Sequence, residues 1–374
     1  MKDPRFDALA DLLVKYSTKV QPGENVMIAV SDAPEEITIA LIRAVYAAGG
    51  YPFVHESRSR VARALMMGTD AERTRRSADI AAYEMRKMQC YIGVAGSNNV
   101  TETADVPSEK KATVEKLFFK PVHQDIRVKH TKWVGLRYPT RSMAQLAQMS
   151  TEAFEDFFFD VCTVDYAQMA EAMKPLVDLM EKTDRVRIVG PDTDLRFSIK
   201  DIPVIPCAGE MNIPDGEVFT APVRDSVDGH IHYNAKTLFR GTVFEDVRFA
   251  FRNGKIVDAT GSDTEKLNEI LDVDDGARYI GEFAIGVNPL IEKPMLDTLF
   301  DEKISGSIHF TPGNAYEDEA DNGNRSAIHW DIVLLQAASA GGGEIYFDDV
   351  LVRKDGLFVL DALDALNPDS MRTT

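Results

Sequence analysis

The chain has 374 residues, enough for two domains, and 44% of them are hydrophobic, so sizeable cores can form. Asp and Glu number 60 against 42 Lys and Arg, a formal charge of -18, which argues against a nucleic-acid partner because phosphate binding needs clustered cations. No apolar run is long enough to span a bilayer, so no membrane partner is expected. Cys90, Cys162 and Cys207 are too few and scattered for a disulfide framework or a cysteine-based metal motif, which predicts a reducing, cytoplasmic location.

The start, Met1-Lys2-Asp3-Pro4-Arg5, leads into an amphipathic segment and not into the apolar core of a signal peptide. Phe6, Leu9, Leu13 and Tyr16 form one apolar stripe, which predicts a helix that Gly23-Glu24 ends. Residues 26–30 read as a buried strand. Pro34, with Glu35 and Glu36 in the first turn, opens the next helix, and Gly49-Gly50 stops it. Further strands are predicted over 51–55, 90–95 and 133–138, with a long helical stretch after the first of these. Strands alternating with helices predict a doubly wound parallel sheet. Ser31-Asp32-Ala33-Pro34 lacks the glycines of a dinucleotide fingerprint, so no nucleotide cofactor is expected.

Residues 151–182 read as helix, with a kink or break at Pro175. Glu181-Lys182-Thr183-Asp184 marks the expected division between an α/β domain over 1–183 and a strand-rich α+β domain over 184–374. In the second domain Leu195, Phe197 and Ile199 alternate with polar residues, as do Val247, Phe249 and Phe251. Asn253-Gly254 predicts a tight hairpin, and Lys354-Asp355-Gly356 a second one.

The candidate chemistry lies in this second half. His309 and His329, with Asp331 two residues after the latter, offer the imidazole and carboxylate donors that borderline divalent ions accept. In an extended chain His329 and Asp331 share a face, whereas a helix would turn them apart; Ile328, Ile332 and Val333 favour the extended form. A His-x-Asp pattern alone more often marks a core histidine beside a solvated aspartate. Glu217 and Glu282 shift that balance. Each lies among glycine, proline and apolar residues, where an ionised carboxylate is costly unless paired or bound to a metal. With Tyr316 these make six candidate groups, enough for two metal ions sharing a carboxylate.

Several motifs resemble the M29 peptidases, the aminopeptidase T and aminopeptidase S group. They are Gly216-Glu217-Val218-Phe219-Thr220-Ala221-Pro222, Gly281-Glu282-Phe283-Ala284-Ile285-Gly286, Ile308-His309-Phe310 with Tyr316 seven residues past the histidine, and Ser326-Ala327-Ile328-His329-Trp330-Asp331. The opening (Leu12 to Ser17, Val20 to Glu24) and the middle (Tyr138 to Thr140, Ser142 to Gln145, Phe154 to Phe157) are also similar to that family. The resemblance implies a homodimeric, metal-dependent aminopeptidase that uses two divalent ions per subunit on peptides with a free amino terminus. Zinc is the expected metal, with cobalt or manganese as alternatives. It places Glu217, Glu282, His309, His329 and Asp331 as ligands, with one glutamate bridging, and Tyr316 at the site as an oxygen ligand or as a hydrogen-bond donor to the tetrahedral intermediate. A general base is also needed, and Glu302 or Glu317 could serve. In the resemblance no carboxylate motif accompanies His230 and His232, which read as a polar strand face or loop. The competing expectation is a mononuclear non-haem Fe(II) ring-cleaving dioxygenase of the dihydroxypyridine type. His309, His329 and Asp331 would make its triad, and Glu217 and Glu282 would be superfluous.

Overall fold

The computed structural model describes residues 3–317 and 319–372. The chain forms two compact units: one runs to Val164 and includes Gly209–Pro214, and the other takes Asp165–Ala208 and continues from Asp215.

The first unit is built on a five-stranded parallel sheet in the order Tyr51–Ser57, Asn25–Ser31, Cys90–Ala95, Lys132–Arg137, Asn212–Ile213. The first strand in sequence lies inside the sheet, so connections run both ways from it, as doubly wound topology requires. Met27 of that strand packs with Ala78, Ala82 and Met85 of the helix Ala71–Met85 and with Val122 and Ile126. The edge strand Tyr51–Ser57 keeps Tyr51, Phe53 and Val54 exposed. The helix that follows, Ser59–Met67, buries no residue and leaves Val61 57% and Leu65 52% exposed.

The expected helix over 151–182 is two helices, Thr151–Cys162 and Tyr166–Met180. The break falls at residues 163–165 and not at Pro175, which lies inside the second helix. Asp165 explains the restart: its side chain accepts a hydrogen bond from Gln168 N and so satisfies a first-turn donor. The second helix groups with the second unit, ahead of the 183/184 position read from the sequence.

The second unit holds an eight-stranded antiparallel sheet, in the order 255–260, 247–252, 228–233, 193–198, 185–190, 344–347, 350–354, 357–358. Both predicted hairpins are there, with Asn253-Gly254 and Asp355-Gly356 at positive φ. A five-stranded antiparallel sheet carries the site, in the order Val333–Leu335, Ser307–Pro312, Ile280–Gly286, Glu217–Thr220, Ile205–Cys207. The two sheets meet through aromatic rings. Phe197 lies 5.0 Å, centroid to centroid, from both Phe283 and Phe310, and Phe251 lies 5.9 Å from Phe310. Among the described residues no helix is long and apolar enough to cross a membrane.

Candidate metal centre

Strand alternation separates the chemistry from the core. Phe283 and Phe310 point to the aromatic core; their neighbours Glu282 and His309 point to the other face. Register adds the third strand, since Ala284 pairs with both His309 and Phe219, and Gly286 pairs with Glu217. Along the central strand that face carries only Ala284 and Gly286 beyond Glu282, which leaves room for donor groups, and Phe219, paired with Ala284, borders it. The two glycines of the 281–286 motif have a second use. A Cβ on Gly281 would lie 2.2 Å from Asn314 O, and one on Gly286 would lie 2.4 Å from Ile304 O. Both must be glycine for the 314 and 302–304 segments to close over the sheet.

His329 and Asp331 come from an extended segment running beside the 307–312 strand. Asn314 N donates to Ile328 O, Trp330 N to Pro312 O and Phe310 N to Ile332 O. Only His329 makes a bridge, with Gly313, so the predicted extended form is there without a regular strand. Trp330 points the other way and stacks on Phe239 at 4.6 Å.

All six groups read from the sequence converge. Glu282 Oε1 lies 3.1 Å from His309 Nε2, and its Oε2 lies 3.1 Å from His329 Nε2. Asp331 Oδ1 lies 3.2 Å from His329 Nε2 and accepts from Thr311 Oγ1 at 2.8 Å. Glu217 Oε2 lies 3.5 Å from His309 Nε2. His329 Nδ1 donates to Asn314 O at 2.8 Å, which fixes the ring and turns Nε2 into the cluster. The Tyr316 hydroxyl reaches His329 Nε2 at 3.3 Å. Glu302, at the end of the helix Thr298–Asp301, borders the cluster through Lys303, with Oε1 2.9 Å from Nζ. Glu317 instead pairs with the half-exposed Arg325 at 3.3 Å. His232 sits between Asp192 and Asp246, and neither it nor His230 joins a metal-type cluster among the described residues.

Two buried groups escaped the sequence reading. Lys303 is 1% exposed and its Nζ contacts Glu217 Oε1, Glu302 and, at 3.5 Å, Asp215 Oδ1. In an acidic chain, Asp301-Glu302-Lys303 looks like a solvated turn. The available signal was the pair of flanking apolar residues, Phe300 and Ile304, both fully buried.

The electrostatics call for cations. Five carboxylates, of Asp215, Glu217, Glu282, Glu302 and Asp331, face one ammonium and two imidazoles. Burial would depress the His309 pKa, but Glu217 and Glu282 outweigh it and raise it to about 10. Burial likewise opposes charge on His329, and Asp331 and Glu282 raise its pKa well above the ordinary value. Burial, then Glu217 and Asp331, push Glu302 up to about 8 despite Lys303. In the metal-free protein the imidazolium ions are thus counter-ions. Even with both protonated, five carboxyl groups crowd around only three cationic ones. One buried atom in the cluster, Glu217 Oε2, also lacks a hydrogen-bond partner. A divalent cation fits this donor set in charge, chemistry and unsatisfied valence.

A pH dependence follows. Imidazole binds a metal only when neutral, so loading must displace protons. Metal affinity is expected to fall as the pH drops from about 10, and calorimetric titration at pH 8 should show proton release that varies with the buffer's ionisation heat. Buffer-independent heats would contradict this. For the metal-free fold the sign is opposite. A His309 pKa raised from 6.5 to about 10 stabilises fully below 6.5, and that stabilisation is lost as the pH rises through about 10.

Carboxylate and imidazole donors gathered on a sheet and on the extended segment beside it are the equipment of a metal-dependent hydrolase. A family model described as thermophilic metalloprotease (M29) matches residues 2–349. The chain belongs to that family, the M29 metallo-aminopeptidases, and is a peptide hydrolase. Aminopeptidase PepS of Streptococcus thermophilus is 23% identical over 380 aligned positions, covering 88% of this chain and 91% of PepS. Aminopeptidase T of Thermus thermophilus is 34% identical over 139 positions, 33% of this chain and 34% of that protein. In structure, wild-type AmpT from Thermus thermophilus aligns with a TM-score of 0.80 at 21% identity, covering 95% of this chain and 99% of AmpT. The 2,5-dihydroxypyridine dioxygenase of Pseudomonas putida KT2440 aligns at 0.60 with 13% identity, covering 96% and 98%. These structural likenesses show a shared fold, which by itself does not choose between hydrolase and oxygenase.

Proposed function

We propose that the chain removes single residues from the amino end of peptides, using two divalent ions that share Glu282. The carrying observation is the split of that carboxylate, one oxygen 3.1 Å from His309 Nε2 and the other 3.1 Å from His329 Nε2. Glu217 and His309 would complete one ion's protein ligands, and His329 and Asp331 the other's. A single-iron triad needs neither glutamate, which favours the hydrolase over the dioxygenase. Zinc is the metal proposed, and cobalt or manganese would suit the same nitrogen and oxygen donors. When bound, such ions polarise the scissile carbonyl and lower the pKa of a water to about 7 in favourable sites.

The chain's own residues have separate tasks. Glu302, whose carboxylate belongs to none of the metal-type clusters among the described residues, takes the proton of the attacking water and returns it to the departing amine nitrogen. Tyr316, 43% exposed with its hydroxyl turned inward to His329, donates to the oxygen that becomes negative as the carbonyl is attacked. The acidic surroundings favour a cationic α-amino group, so an acetylated amino terminus should be refused. The test is a peptide series with free and acetylated amino termini. Release of one residue at a time from the free series alone is expected, and equal cleavage of both would reject the reading.

Assembly and location belong to the same proposal. A homodimer would cover the exposed apolar residues of the Tyr51–Ser57 edge and the Ser59–Met67 helix, an unusual surface for a monomer. Light scattering should return twice the chain mass; a monomer mass across working concentrations would reject it. Three free cysteines support residence in the cytoplasm, which fractionation of the host cell would test.

A further inference from the structure

Three groups of side chains in the second unit have donor atoms close enough to hold a cation: Cys207 with Asp215 and Glu217, Glu217 with Glu282 and His309, and Glu282 with His329 and Asp331. They form a row, because each adjoining pair shares one glutamate. The proposed function uses the second and third. The first already contains a positive charge. Lys303 Nζ contacts Glu217 Oε1, lies 2.9 Å from Glu302 Oε1 and lies 3.5 Å from Asp215 Oδ1.

We propose that Lys303 is a resident cation that fills a third cation position in this row, limiting the centre to two metal ions and leaving Glu217 to serve the neighbouring ion through Oε2 alone. This rests on the two-ion reading. Three observations carry it. Lys303 is 1% exposed, so its charge is met by carboxylates and not by water. Glu217 is divided: Oε1 accepts from the ammonium, whereas the buried Oε2 has no hydrogen-bond partner. The backbone is shaped to bring the lysine in, since a Cβ on Gly286 would lie 2.4 Å from Ile304 O and 3.0 Å from Glu302 O. An ammonium cannot be displaced from such a position cheaply, because its departure would leave Asp215, Glu217 and Glu302 buried beside one another without a counter-charge. One ammonium and two divalent ions would together supply five positive charges to the five carboxyl groups gathered there.

Removing the ammonium should therefore open the first position to a metal and expose Cys207 to it as a ligand. Cobalt(II) is the probe, because a cobalt–thiolate bond gives a charge-transfer band in the near ultraviolet that nitrogen and oxygen donors do not. Binding would deprotonate the Cys207 thiol, the proton passing to buffer. Wild-type protein saturated with cobalt is expected to hold two ions per chain and show no such band. Lys303→Ala should hold a third ion and show the band, Lys303→Ala with Cys207→Ser should lose the band, and Lys303→Arg should behave as wild type. A thiolate band in wild-type protein overturns the proposal, as does a folded Lys303→Ala that stays at two ions without a band. Should Lys303→Ala not fold, the wild-type titration decides: saturation at two ions with no band supports the resident cation. Fewer than two ions in wild-type protein, with no band, would instead reject the two-ion reading on which the proposal rests, and the proposal with it.

Discussion

Glu282→Gln is expected to lower kcat/KM for an amino-terminal arylamide by roughly a thousand-fold, equivalent to about 4 kcal/mol of barrier. Glu282 touches both histidines, with an oxygen for each. The amide keeps the volume, so the strand Ile280–Gly286 and the aromatic packing behind it should be undisturbed. It removes the negative charge, and its NH2 end would point a donor where a metal needs an electron pair. Bound metal should fall below two ions per chain while the circular dichroism spectrum stays that of the wild type. The same argument predicts that a chelator abolishes wild-type hydrolysis and that zinc or cobalt restores it. Full activity in metal-free protein, or a Glu282→Gln variant retaining most of its kcat/KM, would sink the proposed chemistry.

The second large effect is expected at Glu302. Glu302→Gln should reduce kcat by about 10²- to 10⁴-fold, the range for loss of a positioned acid–base group, with KM and metal content retained. The residue is 12% exposed in its side chain, borders the donor cluster through Lys303, and has a pKa raised to about 8 by burial first and by Glu217 and Asp331 after it. Near neutrality such a group can both release and accept a proton. Glutamine keeps an acceptor oxygen for Lys303 Nζ, so the loss should be one of proton transfer and not of architecture. An unchanged kcat would move the base elsewhere. A loss of metal alongside kcat would make Glu302 a supporting group and not the proton carrier.

Much of the site was legible because its residues are out of place by type. Glu217 and Glu282 stand in glycine-rich, apolar strand sequence, where only a buried charge with a partner makes sense, and the structure buries both. The i, i+2 spacing of His329 and Asp331 carried their common direction. Lys303 and Asp215 were not legible, because charged residues beside turns are ordinary in so acidic a chain, and their burial depends on loops closing over a sheet. Those closures depend in turn on Gly281 and Gly286, whose missing side chains had read only as neighbours of a glutamate. The parallel sheet followed from alternating patterns. The helix break at 163–165 was masked by Pro175, a stronger local breaker that the helix Tyr166–Met180 tolerates.

The donor-bearing strands are held by backbone ladders that contain no metal bond, and aromatic rings stiffen them from behind. The centre is thus cast by the sheet, like a mould, before any ion arrives. Small zinc-dependent folds are the reverse case, with ligands gathered by the ion and lost with it. A mould of mixed nitrogen and oxygen donors tells size and charge apart better than element from element, so the ion it carries reflects what its surroundings supply. Purified samples from media of different metal content would then share one backbone and differ in cargo, and specific activity would describe the medium as much as the protein.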